Sequence, residues 1–192
     1  MSDNREFFII SVTGAHSGVG KTSLCALLLG HLHGFGAIKV TRTELYTSVT
    51  DDPEHFMEGD KDTAVMSRAG AKKVVWVQSP ADRLQEALDI ALMKMTGLKG
   101  VVVEGNSPAD IINPHLIVFV LGDQGEIKAS AEEFREKADS IVVNTFHCSL
   151  NQRQDNIKLN KEKVFFIDLL NKRGDIDKFL LSMEKSLVKK LN

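Results

Sequence analysis

Short apolar, β-branched runs alternate with stretches of helical period along most of the chain. The runs Phe7–Thr13, Ala37–Thr41, Lys73–Gln78, Gly100–Glu104, Leu116–Leu121, Ser140–Asn144 and Val164–Asp168 predict strands. Most are continuously apolar rather than alternating, as strands covered on both faces require. Helices are predicted at Lys21–Leu32, Asp62–Ala69, Ala81–Met95, Ala131–Lys137 and Asp175–Leu191. Ser79-Pro80 reads as a helix start, with Ser79 as N-cap and Pro80 at the first helical position. Gly70 and Gly97 stand where C-terminal caps belong. This strand–helix alternation specifies a three-layer α/β domain around a mostly parallel, doubly wound sheet, with residues 1–192 as one unit.

Two segments break the rhythm. Thr43–Lys61 has no sustained apolar period, is rich in carboxylates and contains Pro53 and Gly59. Irregular connections of that length in compact domains are usually functional or disordered. Among its acids (Asp51, Asp52, Glu54, Glu58, Asp60) and the adjoining Asp62, a solvated face is the ordinary reading. Asp62 is the best catalytic candidate because it begins a helix, with N-capping by Asp60 or Asp62 as the competing role. Cys148–Lys163 is polar and reads as a solvated connection.

Composition changes this picture little. The chain of 192 residues is 43% apolar and 26% charged, with a formal net charge of −2. Lys and Arg are scattered, which argues against a nucleic-acid surface. The two cysteines, Cys25 and Cys148, form neither a CxxC pair nor a zinc spacing and fit reduced thiols in a cytoplasmic protein. Met1–Glu6 is polar and acidic rather than signal-like, and no apolar run has the length of a membrane span. The histidines show no paired metal spacing, since His31 and His33 would point to different faces of a helix.

The chemistry concentrates at residues 7–29, FFIISVTGAHSGVGKTSLCALLL. An apolar strand stops at Gly14, a glycine-bearing loop follows, and a helix opens at Lys21-Thr22-Ser23. Ala15-x4-Gly20-Lys21-Thr22 is a phosphate-binding P-loop pattern with Ala at its first position, in the strand-before, helix-after context that confirms it. Ala15, His16, Ser17, Gly18, Val19, Gly20, Lys21, Thr22 and Ser23 are the expected nucleotide-binding segment. Glycines allow successive backbone N–H groups to turn onto phosphate oxygens. Lys21 supplies a mobile charge at the β/γ-phosphates, and the Thr22 hydroxyl can ligate Mg²⁺. The fold expected is therefore the three-layer P-loop NTPase α/β fold.

Gly100–Gly105 is an apolar strand ending in a carboxylate. In P-loop proteins such a residue orients the Mg²⁺ shell, so Glu104 joins Thr22 as a metal candidate and Lys21 and Asp62 as a catalytic one. Lys39 and Arg42 flank the end of the second strand, where a cation meets phosphate, an anionic substrate or solvent. Asn144 ends a later strand and can reach a purine through its amide. GTPases place Asn-Lys-x-Asp there, whereas this chain has Asn144-Thr145-Phe146-His147, so the base stays open between GTP and ATP. His16 occupies the slot of the signature Lys of deviant-Walker ATPases, which disfavours that family.

Val12-Thr13-Gly14 through Gly18-Val19-Gly20-Lys21-Thr22, with Val103-Glu104-Gly105, resembles dethiobiotin synthetase. Val40-Thr41 stand where that family has Pro-Val, and Asn106-Ser107-Pro108 replace its glycines. The order P-loop, Lys39 after the second strand, Gly59-Asp60-Lys61-Asp62-Thr63, Arg68-Ala69-Gly70-Ala71 with the following strand, and Val103-Glu104-Gly105 is similar to the molybdopterin-guanine dinucleotide biosynthesis protein B family, across roughly residues 8–105. That resemblance implies a small, slowly hydrolysing nucleotide-binding accessory of molybdenum-cofactor maturation. Its implied cofactors are Mg²⁺ and GTP or ATP. Its implied partners are a nucleotide, a cofactor-biosynthesis enzyme or molybdoenzyme, and as a further option a second copy in a homodimer. The synthetase resemblance implies instead an ATP-dependent ligase in which Lys39 neutralises a carbamate. A nucleotide-switched, non-catalytic adaptor is the third reading.

Overall fold

Strands apolar on both sides need cover on both sides, and the computed structural model, which describes residues 7–54, 61–145 and 163–190, supplies it. In chain order the elements are β1 (Phe8–Gly14), α1 (Lys21–His31), β2 (Phe35–Arg42), β3 (Ser48–Thr50), α2 (Lys61–Arg68) and β4 (Val74–Ser79). A 3₁₀ turn (Ala81–Arg83) then leads into α3 (Leu84–Met93), followed by β5 (Gly100–Glu104) and β6 (Leu116–Gly122). A second 3₁₀ turn (Ala129–Ala131) precedes α4 (Glu132–Lys137), and β7 (Ser140–Asn144), β8 (Val164–Asp168), β9 (Arg173–Gly174) and α5 (Ile176–Lys190) complete the order.

The strands form one nine-stranded sheet in the order β3-β4-β2-β5-β1-β6-β7-β8-β9. Every pairing is parallel except those of the edge strands, β3 with β4 and β8 with β9. The order departs from β1 in both directions, which opens a crevice at its carboxyl end, where open α/β sheets bind ligands.

Side-chain alternation assigns the two faces. Ile38, Val40, Val75, Val77, Val101 and Val103 pack with Leu84, Ala87, Leu88 and Ala91 of α3. The alternate residues Ala37 and Val102 join Ile10 and Val12 in a cluster with Leu24, Cys25, Leu28 and Leu29 of α1. Phe179 and Met183 of α5 complete that cluster, and α2 lies against α1. Each fully buried aliphatic side chain contributes about 1.5–3 kcal/mol.

Each predicted strand and helix is present, with differences at the ends. Ser79 is the last residue of β4 and its hydroxyl donates to the Pro80 carbonyl (3.0 Å), so it caps no helix. Pro80 is itself the cap of the 3₁₀ turn, in an extended conformation. Gly70 does cap α2: at φ 108° its N–H reaches Ser67 O and the next N–H, of Ala71, reaches Met66 O, a Schellman arrangement. The irregular Thr43–Lys61 connection contains β3, whose Ser48–Thr50 pair with Gln78–Trp76, an edge too short to carry a period of its own. Asp51 in that segment is held by Lys94 at 2.9 Å. Its members Glu58, Gly59 and Asp60, with Phe146 and His147 after Asn144 and Cys148 of the later polar stretch, lie outside the described residues. Among the described residues no helix is long and apolar enough to cross a membrane.

Candidate nucleotide-phosphate site

The loop from Gly14 to Gly20 turns through two left-handed glycines, Gly18 at φ 76° and Gly20 at φ 109°. Gly20 is the N-cap residue of α1 and Leu24 N–H makes the first helical bond to its carbonyl (3.0 Å). No side chain caps this helix, so its first-turn N–H groups and positive dipole end are presented to the cavity above.

Neighbouring elements hold the loop on three sides. From β7, Asn144 Nδ2 donates to Val19 O (3.1 Å), while its Oδ1 accepts from Leu169 N (3.3 Å). A Cβ on Gly20 would stand 2.7 Å from that Nδ2 atom, so the close approach requires glycine as much as the φ does. From β6 and the turn after it, Ala15 N–H reaches Val120 O (2.9 Å) and Lys128 N–H reaches Ala15 O (3.2 Å). The third brace is Asn106. The β1–β5 ladder ends at Val12 opposite Glu104, and the next N–H, of Gly105, still donates to Val12 O. Asn106 then continues the ladder with its side chain: Gly14 N–H donates to Oδ1 and Nδ2 donates to Gly14 O, both at 2.9 Å. An amide there imitates the missing peptide unit. Sequence reasoning gave Asn106 no role, because an asparagine after a strand carries no local signal for it.

The charged groups meet in front of the loop. Lys21 Nζ donates to His16 O (3.0 Å), folded back along the loop it follows. Burial holds its pKa below the usual lysine range, opposed by the nearby charge of Glu104. Thr22 Oγ1 donates to Glu104 Oε2 (2.9 Å), joining the start of α1 to the end of β5. Lys39 and Glu104 are register partners on adjacent parallel strands. Ala37 and Val102, two residues earlier, both face α1, so alternation turns Lys39 and Glu104 to that face as well. Lys39 Nζ reaches Glu104 Oε1 at 2.6 Å and Asp62 Oδ2, at the start of α2, at 2.7 Å. The Lys39 side chain is 13% exposed and that of Glu104 3%. Burial works to lower the Lys39 pKa, but the charge of Glu104 and the hydrogen bonds from both carboxylates outweigh it and leave it raised.

The expected residues thus separate. Ala15, His16, Ser17, Gly18, Gly20, Lys21, Thr22 and Ser23 line the cavity together with Asp62 and Glu104, whereas Val19 is buried behind the loop. The His16 ring lies near Gly122, its Nδ1 2.8 Å from Ser17 O. Asn144 is not on the cavity wall. Backbone groups engage one lone pair of Oδ1 and one hydrogen of Nδ2, holding the amide against the loop.

Among the described residues no cluster of three or more His, Cys, Asp or Glu side chains is arranged to hold a metal ion. A divalent ion would therefore complete its shell with phosphate oxygens and water, as Mg²⁺ does. The donors that would face it, the Thr22 hydroxyl and the Glu104 carboxylate, are hard oxygens already in contact, which fits that ion.

A mostly parallel sheet with a glycine loop joining its central strand to α1 defines the P-loop NTPase fold. Comparison with protein-family models and with curated sequences gives no match. Among solved structures, HypB from Helicobacter pylori in complex with nickel is similar over 97% of this chain and 90% of its own, with TM-score 0.58 and 13% identity. A plasmid partition protein from Borrelia burgdorferi is similar over 96% of this chain and 100% of its own, with TM-score 0.50 and 13% identity. At such identities the likeness is one of fold.

Proposed function

We propose that the chain binds a nucleoside triphosphate, GTP or ATP, with Mg²⁺ and hydrolyses it slowly as an accessory in molybdenum-cofactor (molybdopterin guanine dinucleotide) biosynthesis. The observation that carries the nucleotide part is the contact between Thr22 and Glu104 beside Lys21, which assembles the P-loop and its acidic partner at one point. The glycine loop and the first turn of α1 hold the phosphates through backbone N–H groups. Lys21 swings from the His16 carbonyl to the β/γ-phosphates, exchanging a bond to a neutral acceptor for a charge-assisted one. Bound Mg²⁺ would neutralise phosphate charge, held by Thr22 and oriented by Glu104. Asp62 fixes Lys39, which keeps Glu104 turned toward Thr22.

The pathway part is supported by the motifs shared with the molybdopterin-guanine dinucleotide accessory family. Lys39, Asp62 and Glu104 come from three separate motifs of that resemblance, and Lys39 contacts both of the others. In the ligase alternative Lys39 neutralises a carbamate. Here two carboxylates hold it, which favours the accessory reading. The partners on this reading are a cofactor-biosynthesis enzyme or molybdoenzyme, and a homodimer is a compatible assembly.

Calorimetric titration of ATP and GTP with Mg²⁺ tests the proposal. Lys21→Ala removes a charge-assisted contact of about 2–3 kcal/mol, so affinity should fall roughly 30- to 150-fold. An unchanged dissociation constant in a folded variant refutes it. Turnover without a partner separates a slow NTPase from an adaptor.

A further inference from the structure

The glycine loop borders only part of its cavity. The space, about 900 Å³, continues past Glu104 to the end of β2 on one side and to the turn before α4 on the other. Asn144, which faces the loop from the opposite side, is not part of it. The extension therefore lies on the Glu104 side, where the terminal phosphate of a bound nucleotide would point.

Its charge is lopsided. Lys21 and Lys39 are balanced by Asp62 and Glu104 on the same wall, which leaves Arg42 and Lys128 as the surplus. Neither of those two side chains has an ion-pair or hydrogen-bond partner among the described residues. Both are exposed, yet both are rooted at the site. Arg42 is the last residue of β2, in register with Ser79. Lys128 is tied by its own N–H to the Ala15 carbonyl, inside the phosphate loop. The hydroxyls of Ser107 and Ser130 line the same space. The whole chain carries a formal net charge of −2, so this positive excess is local.

We infer that this half of the cavity is a subsite for a second substrate bearing a carboxylate or phosphate group, gripped by Arg42 and Lys128 beside the terminal phosphate. The inference rests on the nucleotide reading above and deepens it. Cations with no internal partner, rooted on anchored backbone, favour an oxyanion, and exposed ones favour it without a large desolvation cost.

The test is calorimetry on protein saturated with Mg²⁺ and the tighter of AMPPNP and GMPPNP, which keeps the phosphate loop filled. Inorganic phosphate and malonate are titrated in separate arms, one for each oxyanion type. The expected result is one further binding event for at least one anion. Arg42→Ala and Lys128→Ala should each weaken it by about tenfold, the loss expected for one charge-assisted contact. Lys128→Arg should largely retain it. The affinity for the nucleotide analogue should change by less than about threefold, or about 0.7 kcal/mol. No second event with either anion overturns the inference, as does an event that survives both alanine substitutions. A parallel loss of analogue and anion also overturns it, because the two cations would then serve the nucleotide. Failure of both analogues to bind removes the nucleotide reading itself, and this inference with it.

Discussion

Replacing Lys39 with Met tests the polar centre of the site, because it removes one cation from between two carboxylates while keeping the aliphatic stem. In the wild-type chain Lys39 Nζ lies 2.6 Å from Glu104 and 2.7 Å from Asp62. Side-chain exposure is 3% for Glu104 and 41% for Asp62, so nearly all the cost falls on Glu104. Breaking a buried pair by deleting one partner costs about 3–5 kcal/mol. Glu104 keeps the Thr22 hydroxyl and borders an open cavity, so about 2–3 kcal/mol is the expected loss here. For a chain of this size each kcal/mol lowers Tm by about 2–4 °C, which gives a drop of roughly 5–10 °C by differential scanning calorimetry. Lys39→Met combined with Glu104→Gln should recover at least half, since the buried carboxylate is then neutral and Asp62, 41% exposed, keeps its hydration. The pH dependence has a definite sign. A lysine whose folded pKa is raised contributes fully below its unfolded value, about 10.4, and loses that contribution as pH climbs through the folded one. The gap between wild type and variant should therefore stay level from neutral pH to about pH 10 and narrow above it. A single-variant loss under about 1 kcal/mol, or a double variant no more stable than the single, would refute the reasoning.

Two further outcomes separate strain from crowding and burial from reactivity. Gly20→Ala should destabilise by about 2–4 kcal/mol in urea titration, since a left-handed backbone and a Cβ 2.7 Å from Asn144 Nδ2 act together. Gly18→Ala, at φ 76° with nothing within 4 Å of its Cβ, should cost only the strain, about 1 kcal/mol, and equal losses would remove the distinction. Cys25 is fully buried, and burial, reinforced by Glu104, pushes its thiol well above the usual range. In a Cys148→Ser background it should resist Ellman's reagent until the protein unfolds, and rapid labelling of the native protein would contradict the packing of α1.

Features encoded by residues close in sequence were legible before any fold was known. Residues 7–29 carry a β-branched run, glycines able to take left-handed φ, and an apolar helix, so strand, loop and helix follow from local sterics and period. Gly70 was readable as a cap for the same reason. Ser79-Pro80 was misread because the same residues serve a strand end and a helix start, and only pairing with β2 tells which. The strands β3 and β9 were invisible, since two or three residues hold no period and become strands only when a neighbour offers its edge. The site divides in the same way. Lys21 and Thr22 are fixed by the loop that contains them. The meeting of Lys39 with Glu104 depends on β2 and β5 being neighbours in a particular register, and that of Asp62 on α2 packing against α1. Asn106 and Asn144 grip the loop from 92 and 125 residues away. Register and strand order are set by which apolar faces bury one another across the whole chain, a property no short window of sequence contains.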